Sequence, residues 1–283
     1  MAKVSMDMLD LAALLCSRVC HDVISPVGAI VNGLEVLEDE SEASMREFAL
    51  ELIKKSARQA SARLQFCRLA FGAAGSAGAV IDLGDAHNVA KGFLNDDKLS
   101  LVWDAPRLLL PKNQVKLLLN LLVIATGAIP RGGVLTAKVE MLGEEATIVI
   151  TAKGINARIP PKVDQLINGE HEGDAIDAHA VQPFYAGLLA QAANRDVTFS
   201  IIEDTVTIRS DIKKAITHAD IPVDDLQADA TVEGNLEAQS DAVVENANDA
   251  PQLTGEQEND VKPAIADALE AVVAPSPKTA SGF

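Results

Sequence analysis

The chain is 283 residues long and 48% hydrophobic, enough for one or two soluble domains with a real core. Its net charge of −17 is unevenly placed: residues 219–283 hold 14 Asp and Glu against two Lys, leaving −12 there and −5 over residues 1–218. That tail is rich in Ala, Asp, Glu and Pro, with Phe283 as its sole aromatic; it cannot bury enough apolar surface to offset chain entropy, and its sign opposes nucleic-acid binding by that segment. Cys16, Cys20 and Cys67 are odd in number and fit no CxxC spacing, which suits a reducing cytoplasm. No run of about eighteen uncharged apolar residues is apparent, so no membrane span is expected. The opening MAKVSMDMLD lacks the charged-then-apolar plan of a signal peptide.

Residues 7–39 carry apolar side chains at alternating steps of four and three: Leu9, Ala13, Cys16, Cys20, Val23, Val27, Ile30, Leu34 and Leu37. This is the seam of a heptad helix. DESEAS (39–44) interrupts it, and a second run follows over 45–71 with Ile53, Ala57, Ala60, Leu64, Cys67 and Phe71. Gly72 ends that run, and GAAGSAG forms a joint. One such hairpin cannot bury both faces of its seam. A symmetric dimer whose two hairpins form a four-helix bundle can, and packing against the rest of the same chain is the alternative. The cysteines fall on seam positions and are expected as small core residues, since Cys16 and Cys20 have no further metal ligands nearby.

The first helix contains CHDVISPVGAI. His21 follows a seam residue and so lies about 100° around the helix, off the core and on the bundle's flank. Arg18, Asp22 and Ser25 share or border that side, and Gly28 leaves the surface low. Pro26 has no N–H, so the carbonyl of Asp22 loses its helical partner and the ring presses on it; a bend costing about 3 kcal/mol is expected. A neutral imidazole is a good nucleophile near pH 7. A neighbouring carboxylate that accepts the Nδ1 proton fixes the tautomer and presents Nε2 to a phosphoryl group, whose oxygens Arg18 could stabilise. Taken alone, a His-Asp pair reads more plainly as a solvated surface pair. A disruption placed one turn after it points toward function, and the wider motif around it changes the balance.

Beyond the joint the pattern alternates. AVIDLGDAHNVAKGFLN reads as a strand entry and a helix, SLVWDAP as a strand, and PKNQVKLLLNLLVIATGAI as a helix opened by Pro111. GGVLTAKVEML and EATIVITAKG read as a strand hairpin joined through Gly143, HAVQPFYAGLLAQAA as a helix, and DVTFSIIED with TVTIRSD as a last strand pair. Helices layered on a sheet follow. His87, His171, His179 and His218 fall on expected loops or helix ends without ligand spacing and read as structural or solvated, as does Lys153.

Ser17, His21, Asp22, Ser25, Pro26, Ala29 and Ile30 together resemble the H-box of sensor histidine kinases, where a His followed by an acid lies on the first helix of a dimeric bundle. Ile24 stands where those kinases carry a basic residue. The later order of elements resembles their ATP-binding domain, so the likeness spans about residues 5–212. Asn120, Leu121 and Leu122 match the kinase N-box, but Ile124 replaces the Asn that holds Mg²⁺. In ITAKGINARIP, Ala152 replaces the Asp that reads adenine, and Asn156 replaces a glycine. A phosphorylatable histidine beside a degraded ATP site resembles the ChpT family of histidine phosphotransferases, relay proteins of alphaproteobacterial cell-cycle signalling.

The resemblance implies an α+β chain: a helical hairpin over 1–74 forming a dimeric four-helix bundle and a degenerate histidine-kinase-like ATPase sandwich over 75–215; composition, outside the resemblance, marks 216–283 as an acidic disordered tail. It implies phosphoryl transfer from a receiver aspartate to His21 and on to other receivers, with Asp22, Arg18 and Ser25 assisting. Ile24, Gly28 and Arg63 would dock the receiver. The chain would need no cofactor, Mg²⁺ being supplied by the receiver. Its partners would be receiver domains of a hybrid histidine kinase and of response regulators, plus a second copy of itself, with no nucleic acid and no membrane. Asn120 would be a helix residue with a polar contact. Two other classes share these motifs. An ATP-dependent histidine kinase would label itself from ATP alone. A dimeric adaptor would keep its binding and relay after loss of His21.

Overall fold

The computed structural model describes residues 6–39, 42–72, 78–94, 98–143, 145–170, 176–177 and 180–213. The chain divides into a unit spanning residues 1–220 and a second spanning 221–283. The second unit lies outside the described residues, as do the acidic tail from residue 216 and the histidines His171, His179 and His218.

The hairpin forms as the heptad pattern requires, from α1 (Met8–Asp39) and α2 (Ala43–Ala70). Within the single chain the seam is only partly covered. Leu9, Ala13, Cys16, Cys20, Val27 and Leu34 are exposed, and only Val23, Ile30 and Leu37 are half-buried. The face of α1 that meets α2 carries Pro26 and Gly33, both buried. A Cβ on Gly33 would lie 2.7 Å from Ile53 Cγ1, so the helices approach too closely there for a side chain. Small residues set the distance between the helices, and the heptad stripe is left turned outward. Within the single chain Cys16 and Cys20 are exposed and Cys67 is buried. Helix α1 is also long and apolar enough to cross a bilayer by length and composition alone, although it carries charged residues. Arg18 and Asp22 lie inside it, 3.3 Å apart.

The rest of the unit is β1 (Val80–Asp82), α3 (Leu83–Leu94), β2 (Leu99–Asp104), β3 (Leu109–Pro111), α4 (Lys112–Thr126), β4 (Gly133–Leu142), β5 (Glu145–Lys153), α5 (Val163–Ile167), α6 (Val181–Ala192), β6 (Arg195–Ile202) and β7 (Thr205–Ile212). Five strands form one sheet in the order β2-β4-β5-β7-β6, with β2 and β4 parallel and the other pairs antiparallel; β1 and β3 form a separate pair. The strands alternate, as a sheet with one covered face must. Leu135, Ala137, Ile148, Ile150, Val206 and Ile208 enter the core, where Leu117, Leu118 and Leu121 of α4 meet them. The β3 strand and the short α5 were not legible in the sequence. Pro111 caps α4 rather than opening it. His87 lies inside α3, stacked on Trp103 at 5.0 Å, and burial lowers its pKa, so it serves as a packing residue.

Hairpin and sheet share their packing. Phe66 and Ala70 of α2 belong to the same buried cluster as α3 and α4. Leu11, Leu14 and Leu15 of α1 pack on Val181 and Phe184 of α6. Helix α6 in turn needs Gly187, because a Cβ there would lie 2.1 Å from the Ile167 carbonyl oxygen. Gly187→Ala, which in an open helix gains about 1 kcal/mol, should therefore lower the thermal midpoint; an unchanged or raised midpoint in calorimetry would contradict this close approach.

Candidate functional site

His21 sits on the flank of α1, with its side chain 68% exposed. Its Nδ1 lies 3.5 Å from Asp22 Oδ1, and Asp22 is mostly covered at 15% exposure. The other carboxylate oxygen, Oδ2, is 3.3 Å from Arg18 Nε. That is an ion-pair distance, but the N–H is not aimed for a hydrogen bond. The sequence spacing explains the arrangement. At about 100° per residue, position 21 falls between the exposed apolar stripe and the packed face, while 18 and 22 share one turn and turn inward.

Ile24, Ser25 and Gly28 are exposed on the His21 side, and nothing lies within 4 Å of a Cβ built on Gly28. The surface around the imidazole is thus low and partly apolar. Arg18 differs from expectation. Only 18% exposed and paired with Asp22, it holds the acid rather than reaching out beside the imidazole. Arg63 also differs. It is half-buried on α2, and its Nη1 donates to the carbonyl of Asp22, the group that Pro26 deprives of a helical partner. Its own contact turns it into the hairpin rather than toward a docking partner. Helix α1 runs unbroken through Pro26. Cys67 lies in the field of the same charges. Burial, and then the Asp22 carboxylate, push its thiol up to about 11, so it is a packing residue and not a thiolate.

The positions that depart from the kinase pattern are apolar here. Ala152 is buried in the sheet, in register with Leu135 and Val206. Ile124 lines a cavity of about 510 Å³ with Val123, Pro160, Val163 and Gln182, and Arg18 reaches its edge. Lys153 is not among its lining residues. Asn120 is fully buried, and its Nδ2 donates to the carbonyls of Lys116 at 2.8 Å and Ala70 at 3.3 Å. Gln182 Nε2 on α6 donates back to Asn120 Oδ1 at 3.5 Å. One turn earlier, Lys116 Nζ donates to the Gly72 carbonyl. Burial, with Lys112 adding to it, holds the Lys116 ammonium below its ordinary pKa. Lys116 and Asn120, an i,i+4 pair on α4, thus satisfy carbonyls left over at the end of α2. Sequence reasoning foresaw a polar contact for Asn120 but missed Lys116 and Gln182; their helical spacing was visible, their target was not. Among the described residues, no three or more His, Cys, Asp or Glu side chains gather as a metal site would require.

With this geometry in view, the comparisons with known proteins are specific. Residues 83–205 match the family model described as the histidine phosphotransferase C-terminal domain. Over 204 residues, 72% of this chain and 96% of the relative, the sequence is 54% identical to the protein phosphotransferase ChpT of Brucella abortus (strain 2308). A solved structure described as a bacterial phosphotransferase aligns with a TM-score of 0.68 and 49% identity, covering 75% of this chain and 100% of that one.

Removing the buried amide at position 120 leaves the Ala70 carbonyl and the Gln182 amide underserved. Asn120→Ala is expected to cost about 1–3 kcal/mol in urea unfolding. A loss much below that range would mean that the amide does not anchor α2.

Proposed function

The chain belongs to the histidine phosphotransferase family, and from that premise we propose that His21 is the residue that carries the phosphoryl group. The protein is a phosphorelay phosphotransferase, and receiver domains are its general class of partner. The observation that carries the assignment of His21 is its setting: an imidazole open to a partner, with Nδ1 beside a covered carboxylate that Arg18 holds.

In this reading, Nε2 attacks the phosphorus of an aspartyl phosphate on a docked receiver. The N–P bond forms as the P–O bond to the aspartate breaks, and the carboxylate leaves on the receiver. The imidazole gains positive charge, with its remaining proton on Nδ1, and the Asp22 carboxylate meets that charge. A second receiver's aspartate reverses the step. Transfer of this kind depends on position and charge more than on covalent help from the protein. Mg²⁺ comes with the receiver, and this chain supplies no cofactor. Ile24, Ser25 and Gly28 form the surface that the receiver meets, since all three are exposed on the His21 side of α1.

The chain acts as a homodimer, its hairpins joined in a four-helix bundle. Supporting this is the outward apolar stripe of α1, where Leu9, Val27 and Leu34 are exposed at heptad steps with Val31 beside them. The same stripe accounts for the hydropathy of α1, so we read the helix as facing a partner helix and not lipid. Residues 1–74 provide the transfer surface and residues 75–215 the scaffold, in the cytoplasm. The donor is the receiver of a hybrid kinase, and the acceptors are response regulators of cell-cycle control.

Purified receiver domains loaded with labelled phosphate on aspartate provide the test. Label should pass to the natural chain and be lost entirely in His21→Gln. In Asp22→Asn transfer should slow by about a hundredfold, the low end of what a positioned acid–base partner contributes. Labelling from ATP and Mg²⁺ alone, or relay that survives His21→Gln, would overturn the reading. For the dimer, Leu34→Asp should halve the mass measured by light scattering; a natural chain that is already monomeric at micromolar concentration removes that part.

A further inference from the structure

We propose that Arg63 is a positioning residue for phosphotransfer. Its guanidinium takes the hydrogen-bonding place that Pro26 leaves empty at the Asp22 carbonyl, and so orients the His21–Asp22 step of α1. The inference rests on His21 being the acceptor, as argued above.

The need arises in the sequence. In a regular helix the N–H of residue 26 would donate to the carbonyl of residue 22, four positions back. A proline at 26 removes that donor and presses its ring against the same carbonyl. Pro26 is buried against α2, so the carbonyl is turned toward the hairpin interior. A carbonyl in such a place needs a partner from elsewhere.

The structure supplies it from 41 residues away. Arg63 Nη1, on the facing helix, donates to Asp22 O. Asp22 is thereby held at both ends: its carbonyl by Arg63 from α2, and its carboxylate by Arg18 from one turn earlier on α1. The His21 imidazole is attached through the peptide bond that joins it to Asp22, and its Nδ1 faces the Asp22 carboxylate. Rotation or shift of the Asp22 peptide would carry the carboxylate away from Nδ1 and tilt the ring that must meet phosphorus in line. Arg63 does not touch the phosphoryl group in this scheme; it acts through Asp22.

Proline and arginine form a testable pair, because Pro26→Ala restores the missing N–H and with it the need for Arg63 disappears. Three variants of the full chain are compared with the natural protein: Arg63→Met, Pro26→Ala and the two combined. Two quantities are read. One is the nitrogen-15 chemical shift of His21 Nδ1 and Nε2 in histidine-labelled protein, which reports the tautomer. The other is the initial rate of transfer from a labelled aspartyl-phosphate receiver, chosen as the fastest donor to the natural chain.

Arg63→Met should shift the tautomer balance away from Nδ1–H and slow transfer about tenfold or more, the scale that a small misplacement costs. Arg63→Lys, which keeps a cationic donor without the planar fork, should recover part of both. The combined variant should match Pro26→Ala alone in tautomer and rate. Losses from Arg63→Met that persist undiminished in the Pro26→Ala background overturn the proposal, as does an Arg63→Met protein with natural tautomer and rate. If Arg63→Met does not fold, the comparison of Pro26→Ala with the combined variant decides in its place. The tautomer shift needs no phosphate, so a shift without any transfer to His21 would keep the clamp and reject the acceptor assignment.

Discussion

The close contact between α1 and α2 governs most of what this protein presents to its surroundings. Pro26 and Gly33 have too little bulk to keep the helices apart, and Ile53 of α2 fills the space that a side chain at 33 would take. Helix α1 therefore spends a narrow face on its own hairpin and keeps two others. One is the apolar stripe that includes Val27, Val31 and Leu34. The other is the flank that carries His21, Ser25 and Gly28. Because a helix turns about 100° per residue, three distinct surfaces fit around one rod without competing for positions.

The charges under His21 follow from the same contact. A proline on the packed face costs the helix a hydrogen bond, and the facing helix offers Arg63 to replace it. Asp22 lies next to that position and cannot be solvated on all sides, and Arg18 one turn away meets its carboxylate. Burying an acid with two arginines nearby is tolerable where an isolated acid would not be. Such an arrangement holds the carboxylate still while leaving the imidazole in water.

Where a nucleotide site would place acid and amide groups, the strand carries buried Ala152 and the helix carries Ile124. The amide that remains, Asn120, faces the end of α2 together with Lys116, and Gln182 of α6 completes the set. Free carbonyls at a helix end are strong acceptors, and a buried ammonium and amide satisfy them with little room for slippage. The hairpin is consequently tied to the sheet layer through α4 and α6.

The sequence alone determined the hairpin, its joint, the main helices and six of the seven strands, because those depend on apolar period and on turn residues that act over a few positions. It also determined that His21 stands off the seam beside an acid and one turn before a proline, since helical spacing is local. Tertiary structure alone decided which face of α1 packs inward. The heptad stripe marked Cys16, Cys20 and Leu34 as seam residues, and within one chain the helices meet instead at Pro26 and Gly33, leaving those side chains turned outward. It likewise decided the partners of Arg63, Lys116, Gln182 and the fully buried Arg195, which bonds to Ser210 and the Ala146 carbonyl. Each is a long polar side chain that composition reads as surface. Its burial depends on an unserved carbonyl or hydroxyl brought near from a distant part of the chain, and no local pattern records that meeting.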